Sequence, residues 1–162
     1  PEVRAANFRH YEPRTAHGSS LSPAIHAAVA ARLGDLGLAW RYFWQTAEID
    51  LANNMGNASH GVHMAALGGL WQAAVMGFGG IRPSAHGLVV EPHLPPKWHA
   101  LRCRLRWRGR RVTVGIRQAP RRVEVAVDGS GSVPVRVGAA PPAAVQAGRP
   151  RTFEWGGDPG GH

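Results

Sequence analysis

The order of apolar and polar residues along the chain changes period near Gly79. Up to that point apolar residues recur every three or four positions, the spacing of one helix face; beyond it they alternate, the spacing of a strand. The first helical stretch opens at "SPAIHAAVAARL", where Ser22 suits an N-cap, Pro23 suits the first helical position, and Ile25, Ala28, Val29 and Leu33 form the apolar stripe. After a break at Gly34 and Asp35, "LGLAWRYFWQTAEIDL" repeats the pattern through Leu38, Tyr42, Phe43 and Ile49, and the polar loop "ANNMGNAS" follows. A third helix is expected from His60 to Phe78, with Val62, Ala66, Leu70, Ala74 and Phe78 in line and Leu67 and Trp71 widening the stripe. Gly68 and Gly69 inside it each cost about 1 kcal/mol against alanine, which predicts close packing there against another helix or a ligand.

From "GFGGIRP" onward, short alternating segments are punctuated by turn residues: "GLVVEP", "LRCRLRW", "RRVTVGI", "RVEVAVD", "VPVRVG" and "RTFEW". Such spacing predicts an antiparallel β-sandwich, with hairpin tips at Arg108-Gly109 and Asp128-Gly129. "AAPPAAVQAGRP" holds too much alanine and proline to predict a strand, and "GGDPGGH" reads as a flexible tail. The fold class is therefore α+β, helices then strands: helices in 1–80, a sandwich in 81–155 and a tail at 156–162.

Composition narrows the setting. A chain of 162 residues with 44% hydrophobic content is soluble and globular in character, and no breaker-free apolar run reaches membrane-spanning length. No signal-peptide pattern is present, so a cytoplasmic location is the default expectation. Cys103 is the only cysteine, which excludes an internal disulfide and a cysteine-based zinc site. The net charge of +9 comes largely from ten Lys and Arg residues between Lys97 and Arg122 with no acid among them. In "LRCRLRWRGRRVTVGI" they alternate with Leu101, Cys103, Leu105 and Trp107, placing Arg102, Arg104, Arg106 and Arg108 on the other strand face. A solvated arginine face is preferred over a nucleic-acid surface. The tryptophans at 40, 44 and 71 read as helix core, and Trp98 and Trp107 as sandwich core.

Candidate chemistry gathers in "TAHGSSLS", residues 15–22, and in "HGVH", residues 60–63. Histidines, hydroxyls and a helix start supply converging donors of the kind an anion needs. No Asp or Glu falls between Glu12 and Asp35, or between Asp50 and Glu91, so neither segment carries a competing carboxylate. The plainer readings are that Ser22 caps a helix, that Ser19 and Ser20 satisfy turn amides and that His26 is a packed or solvated helix residue. His60 and His63 lack a third ligand, so no metal is expected.

The stretches "YEPRTAHGSSLSPAIHAAVAARLGD", "NASHGVHMAALGGLWQAAVMGFGGIRP" and "GLVVEPHLPPKWHALRCRLRWRGRRVTV", within residues 8–128, resemble the carboxy-terminal third of glycoside hydrolase family 65. That family holds inverting phosphorylases of maltose, trehalose, kojibiose and nigerose, and some hydrolases. The resemblance implies the final helices of an (α/α)6 barrel followed by a small antiparallel β-sandwich domain. It also implies the reaction: an acid earlier in the chain protonates the glycosidic oxygen while inorganic phosphate, the co-substrate, attacks the anomeric carbon from the opposite face. Ser19, Ser20 and His63 would bind that phosphate, and His17, Gly18 and His60 would line the substrate pocket. Gly18 stands where the family often has aspartate, and His60 where glutamate commonly precedes the Gly-x-His motif. The implied partners are phosphate and an α-linked glucose disaccharide; no cofactor, metal or membrane is implied, and a homodimer of the complete enzyme stays open. With no residue here matching the general acid, the expectation is a carboxy-terminal fragment that is inactive by itself. Phosphorolysis is favoured over a trehalase-like hydrolysis, because the segments offer no base for water. A noncatalytic carbohydrate- or partner-binding sandwich is the rival of another class.

Overall fold

The computed structural model describes residues 2–156, and the chain divides into two units, Pro1–Phe78 and Gly79–His162. The first contains α1 (Glu2–Tyr11), α2 (Ser22–Arg32), α3 (Leu36–Leu51) and α4 (Met64–Gln72), the last continued by a π-helical stretch, Ala73–Phe78. Helix α1 has no counterpart in the periodicity, because it buries none of its residues and so needs no apolar stripe.

Helix α2 buries Pro23, Ala24, Ala27, Ala30 and Ala31, not the expected stripe, and leaves Ile25 50% exposed. The reason is distance. A Cβ placed on Gly69 would lie 2.6 Å from the Ala24 Cβ, and one on Gly77 would lie 2.8 Å from the Ala28 Cα, so only methyl groups fit between these helices. Small residues thus outrank larger ones wherever backbones approach closely. Helix α3 follows its sequence signal. The Asp35 carboxylate accepts from the Leu38 amide at 2.9 Å, and Ala39, Tyr42, Thr46 and Ile49 are buried at alternating steps of three and four.

The third expected helix starts late: Ala58–His60 is a single 3-10 turn, Gly61 at φ +118 breaks the chain, and α4 begins only at Met64. Its buried face runs through Ala66, Gly69 and Ala73, rotated from the expected one, so Val62 is 58% exposed. Trp44 and Trp71 are 45% and 48% exposed and so are not core residues. Trp40 is half-buried and stacks on Phe43 at 5.9 Å. The two central glycines also part company, since a Cβ on Gly68 would meet nothing within 4 Å. Replacing Gly69 with alanine is expected to destabilise the protein by about 1–3 kcal/mol through overpacking, whereas Gly68→Ala stabilises by about 0.5–1 kcal/mol. Urea unfolding of the two variants checks this, and shifts of the same sign would contradict it.

Among the described residues, the second unit holds eight strands: β1 (Ile81–Ser84), β2 (Gly87–Val90), β3 (Ala100–Trp107), β4 (Arg110–Arg117), β5 (Arg122–Asp128), β6 (Ser132–Val137), β7 (Ala143–Gln146) and β8 (Arg151–Glu154). They form two four-stranded sheets, ordered β1-β2-β6-β7 and β3-β4-β5-β8. All neighbours are antiparallel except β2 and β6, which pair in parallel from Leu88↔Val135 to Val90↔Val137. Arg108 and Gly109 form the expected two-residue hairpin tip, both at positive φ. Asp128-Gly129 does not: β5 and β6 belong to different sheets, so this turn carries the chain from one to the other. β7 lies inside the alanine- and proline-rich segment, held by its pairing with β6.

Alternating valines fill the core. Val112, Val114 and Ile116 of β4, Val123, Val125 and Val127 of β5, and Val133, Val135 and Val137 of β6 are all buried. Cys103 joins them, and burial pushes its thiol up to about 11, which makes it unreactive. Arg102, Arg104 and Arg106 face solvent as the alternation predicts. Trp98 and Trp107 are only half-buried, with the Arg108 guanidinium 4.7 Å from the Trp107 ring centre. Behind β2, Glu91 accepts from Arg82 at 2.9 Å and from Arg136 at 2.8 Å. Burial raises its carboxyl, but these two partners outweigh it and leave Glu91 below its ordinary value. From residue 157 onward the expected tail lies outside the described residues.

Candidate functional site

The loop before α2 is organised by one histidine. His17 has a left-handed backbone (φ +49), a conformation that costs a non-glycine residue about 1 kcal/mol or more. Its ring offsets this by bonding at both nitrogens: Nδ1 lies 2.9 Å from the Ser22 hydroxyl and Nε2 lies 2.9 Å from the Tyr42 hydroxyl. The Tyr42 O–H donates to Glu12 Oε1 at 2.6 Å, so it must accept from His17 Nε2–H. In the neutral ring Nδ1 is then an acceptor, and the Ser22 O–H donates to it. Burial, with help from nearby His26, lowers the His17 basicity against the opposing pull of Glu12, which favours this neutral form. The Tyr42 hydroxyl is pushed up to about 12 by burial and by its bond to Glu12. His26 completes the group, its ring 4.5 Å from that of His17 and its Nδ1–H donating to the Ser22 carbonyl at 2.9 Å.

Ser22 therefore does not cap α2. Leu21 occupies the cap position, Ser22 opens the helix, and its hydroxyl is spent on His17. Ser19 accepts from the Leu21 amide at 3.3 Å; Ser20 is half-buried, and Gly18 is exposed. Gly18 and Ser19 are thus the exposed residues of the loop, while His17 anchors it through Ser22 and Tyr42.

Asp50 organises the second segment. It lies in the last turn of α3 and His63 at the start of α4, and its carboxylate accepts the His63 backbone amide at 3.0 Å and Nδ1–H at 2.7 Å. The side-chain bond from His63 is the largest influence lowering the Asp50 pKa, against a smaller opposing effect of burial. His60 is exposed in the turn before, with its backbone amide bonded to Asn57. The acid-free appearance of both segments does not survive folding, since the two bordering carboxylates, Glu12 and Asp50, reach back into them. Each is already occupied by a protein donor, Tyr42 for Glu12 and His63 for Asp50.

The close approaches between α2 and the α4 segment give the direction of the two helices. Along α2, Ala24 then Ala28 meets Gly69 then Gly77 in the same chain order, so α2 and α4 run the same way. Ser19 and Ser20 stand in the turn before α2, and His63 is the residue before α4. Sequence reasoning missed Asp50, Glu12 and Tyr42. Asp50 had a signal: an acid in a helix's last turn sits at the wrong end of the dipole and calls for a specific partner.

Comparison with known proteins settles the family. Residues 1–72 match the model described as the glycosyl hydrolase family 65 central catalytic domain, and residues 81–139 match that of the family 65 C-terminal domain. The chain belongs to glycosyl hydrolase family 65. Among its family 65 relatives, the kojibiose phosphorylase of Halothermothrix orenii is 47% identical over 72% of this chain and 15% of its own length. The alpha,alpha-trehalose phosphorylase of Geobacillus stearothermophilus is 40% identical over 68% of this chain and 14% of its own. A solved protein from the human microbiome, provisionally named a kojibiose phosphorylase, superposes with a TM-score of 0.84 at 25% identity, covering 96% of this chain and 22% of that one. The chain thus spans about 15% of the length of the curated family 65 relatives it matches. Helices followed by strands in two sheets is the order expected for this part of the family. Among the described residues, no helix is long and apolar enough to cross a membrane, and no cluster of three or more potential metal ligands occurs.

Proposed function

We propose that this chain supplies the phosphate-binding side of the active site of an inverting phosphorylase that cleaves α-linked glucose disaccharides. What supports the reading is that α2 and α4 run the same way, with Ser19 and Ser20 in the turn before one and His63 just before the other, a placement suited to convergence on one anion. Backbone amides, hydroxyls and imidazole there form a donor set suited to phosphate. Gly18 and His60 flank it as pocket residues, whereas His17, expected beside them, has both ring nitrogens engaged by Ser22 and Tyr42 and holds the loop instead. Both nearby carboxylates are engaged by protein donors, so neither is a ready base for water, which favours phosphate as the nucleophile.

In this reading a phosphate oxygen bonds to the anomeric carbon as the glycosidic C–O bond breaks. A general acid from outside these 162 residues gives its proton to the departing sugar. Inversion turns the α-linkage into β-glucose 1-phosphate. The names of the similar relatives support kojibiose and trehalose as substrates to try, and maltose belongs with them. The test is to incubate the complete protein with each sugar, with and without phosphate, and to measure glucose 1-phosphate and glucose. Sugar phosphate formed only when phosphate is present is the expected result. Glucose released at equal rates without phosphate would show a hydrolase, and no turnover of any sugar would favour a noncatalytic module.

A further inference from the structure

We infer that Asp50 is a positioning residue for phosphate, acting through His63. The inference deepens the functional reading above and rests on it. One carboxylate takes both polar groups His63 has to offer on that side: the backbone N–H, at 3.2 Å and 3.0 Å to its two oxygens, and Nδ1–H at 2.7 Å. Two attachments to one residue fix the imidazole in rotation as well as in position. The side chains are largely shielded, at 19% exposure for His63 and 12% for Asp50, so the contact is not a loose surface pair.

The consequence is a defined role for the other nitrogen. With Nδ1 always donating to Asp50, Nε2 is the atom that can meet an incoming anion. A single proton is then shared between Nε2 and a phosphate oxygen: it rests on the ring when phosphate arrives as the dianion, and on phosphate when the ring is neutral. With the proton on the ring, Nε2–H donates a charge-assisted bond and the phosphate keeps its full nucleophilic charge. Asp50 itself touches neither phosphate nor sugar.

Position, not bulk, is what substitution should disturb. In the complete protein, Asp50→Asn keeps the shape and removes the charge, and the KM for phosphate is expected to rise about tenfold or more, while the KM for the disaccharide changes less than about twofold. Asp50→Glu, which restores the carboxylate one methylene further out, should recover part of that loss. A merely structural role would instead move both KM values together or neither. If wild-type turnover needs no phosphate, the functional reading fails. If it needs phosphate but the variants leave the phosphate KM unchanged, or shift both constants equally, the Asp50 inference fails by itself. Should Asp50→Asn not fold, the split measured for Asp50→Glu decides the question.

Discussion

Replacing His63 with alanine in the complete protein is expected to cut kcat/KM for phosphate by about a hundredfold or more while leaving the fold intact. Two effects add. The direct one is loss of a donor aimed at the nucleophile's charge, an interaction of the class worth about 2.7–4 kcal/mol in a preorganised site. The indirect one is that Asp50 loses its Nδ1–H partner and keeps only the backbone amide at 3.0 Å, leaving a carboxylate near the proposed phosphate site with less of its charge satisfied. Repulsion of phosphate follows. The disaccharide site should be spared, so the substrate KM stays near its original value. Steady-state kinetics with each substrate varied in turn reads this, and an equal rise in both KM values would show that His63 serves the fold rather than the anion.

The largest stability effect is expected at Gly80. Its φ is +60, and a Cβ there would lie 1.7 Å from the Glu91 carbonyl oxygen and 2.4 Å from its carbon. Those atoms are backbone and cannot turn aside. The Gly80 carbonyl also accepts from the Glu91 amide at 3.1 Å, so the clash falls on the bond that closes the end of the β1–β2 ladder. Relief requires moving Glu91, and with it the carboxylate that holds Arg82 and Arg136. Left-handed strain and overpacking together should cost Gly80→Ala roughly 3–5 kcal/mol, a large share of what holds an ordinary domain together. Hydrogen exchange resolved to β1 and β2 would show the loss as accelerated exchange at Val89 and Val90. Unchanged protection there would contradict the account.

These residues also show what a sequence reveals and what it conceals. The change of period near Gly79 marks the passage from helices to strands, because burial on one face imposes spacing directly on the chain. Strands β3 to β5 follow from it with their arginines outward. Where the fold depends on who approaches whom, pattern misleads: the α2 and α4 stripes are rotated because Gly69 and Gly77 admit Ala24 and Ala28, and no periodicity encodes that distance. β7 and the Asp128 crossover are likewise set by pairing between sheets. At the candidate site, Ser19, Ser20 and His63 are proposed from motifs that resemble the family, whereas the sequence does not show that Asp50 bonds to His63 or Glu12 to Tyr42. Counting acids along the chain placed those two outside the segments they enter in space.

The convergence of Ser19, Ser20 and His63 on one anion is the claim on which the rest depends. Its most direct test is a crystal structure of the complete protein with phosphate. The account predicts ordered phosphate within hydrogen-bond distance of the Ser19 and Ser20 loop and of His63 Nε2, with Asp50 still on Nδ1. Phosphate bound elsewhere, with the starts of α2 and α4 empty, would contradict it.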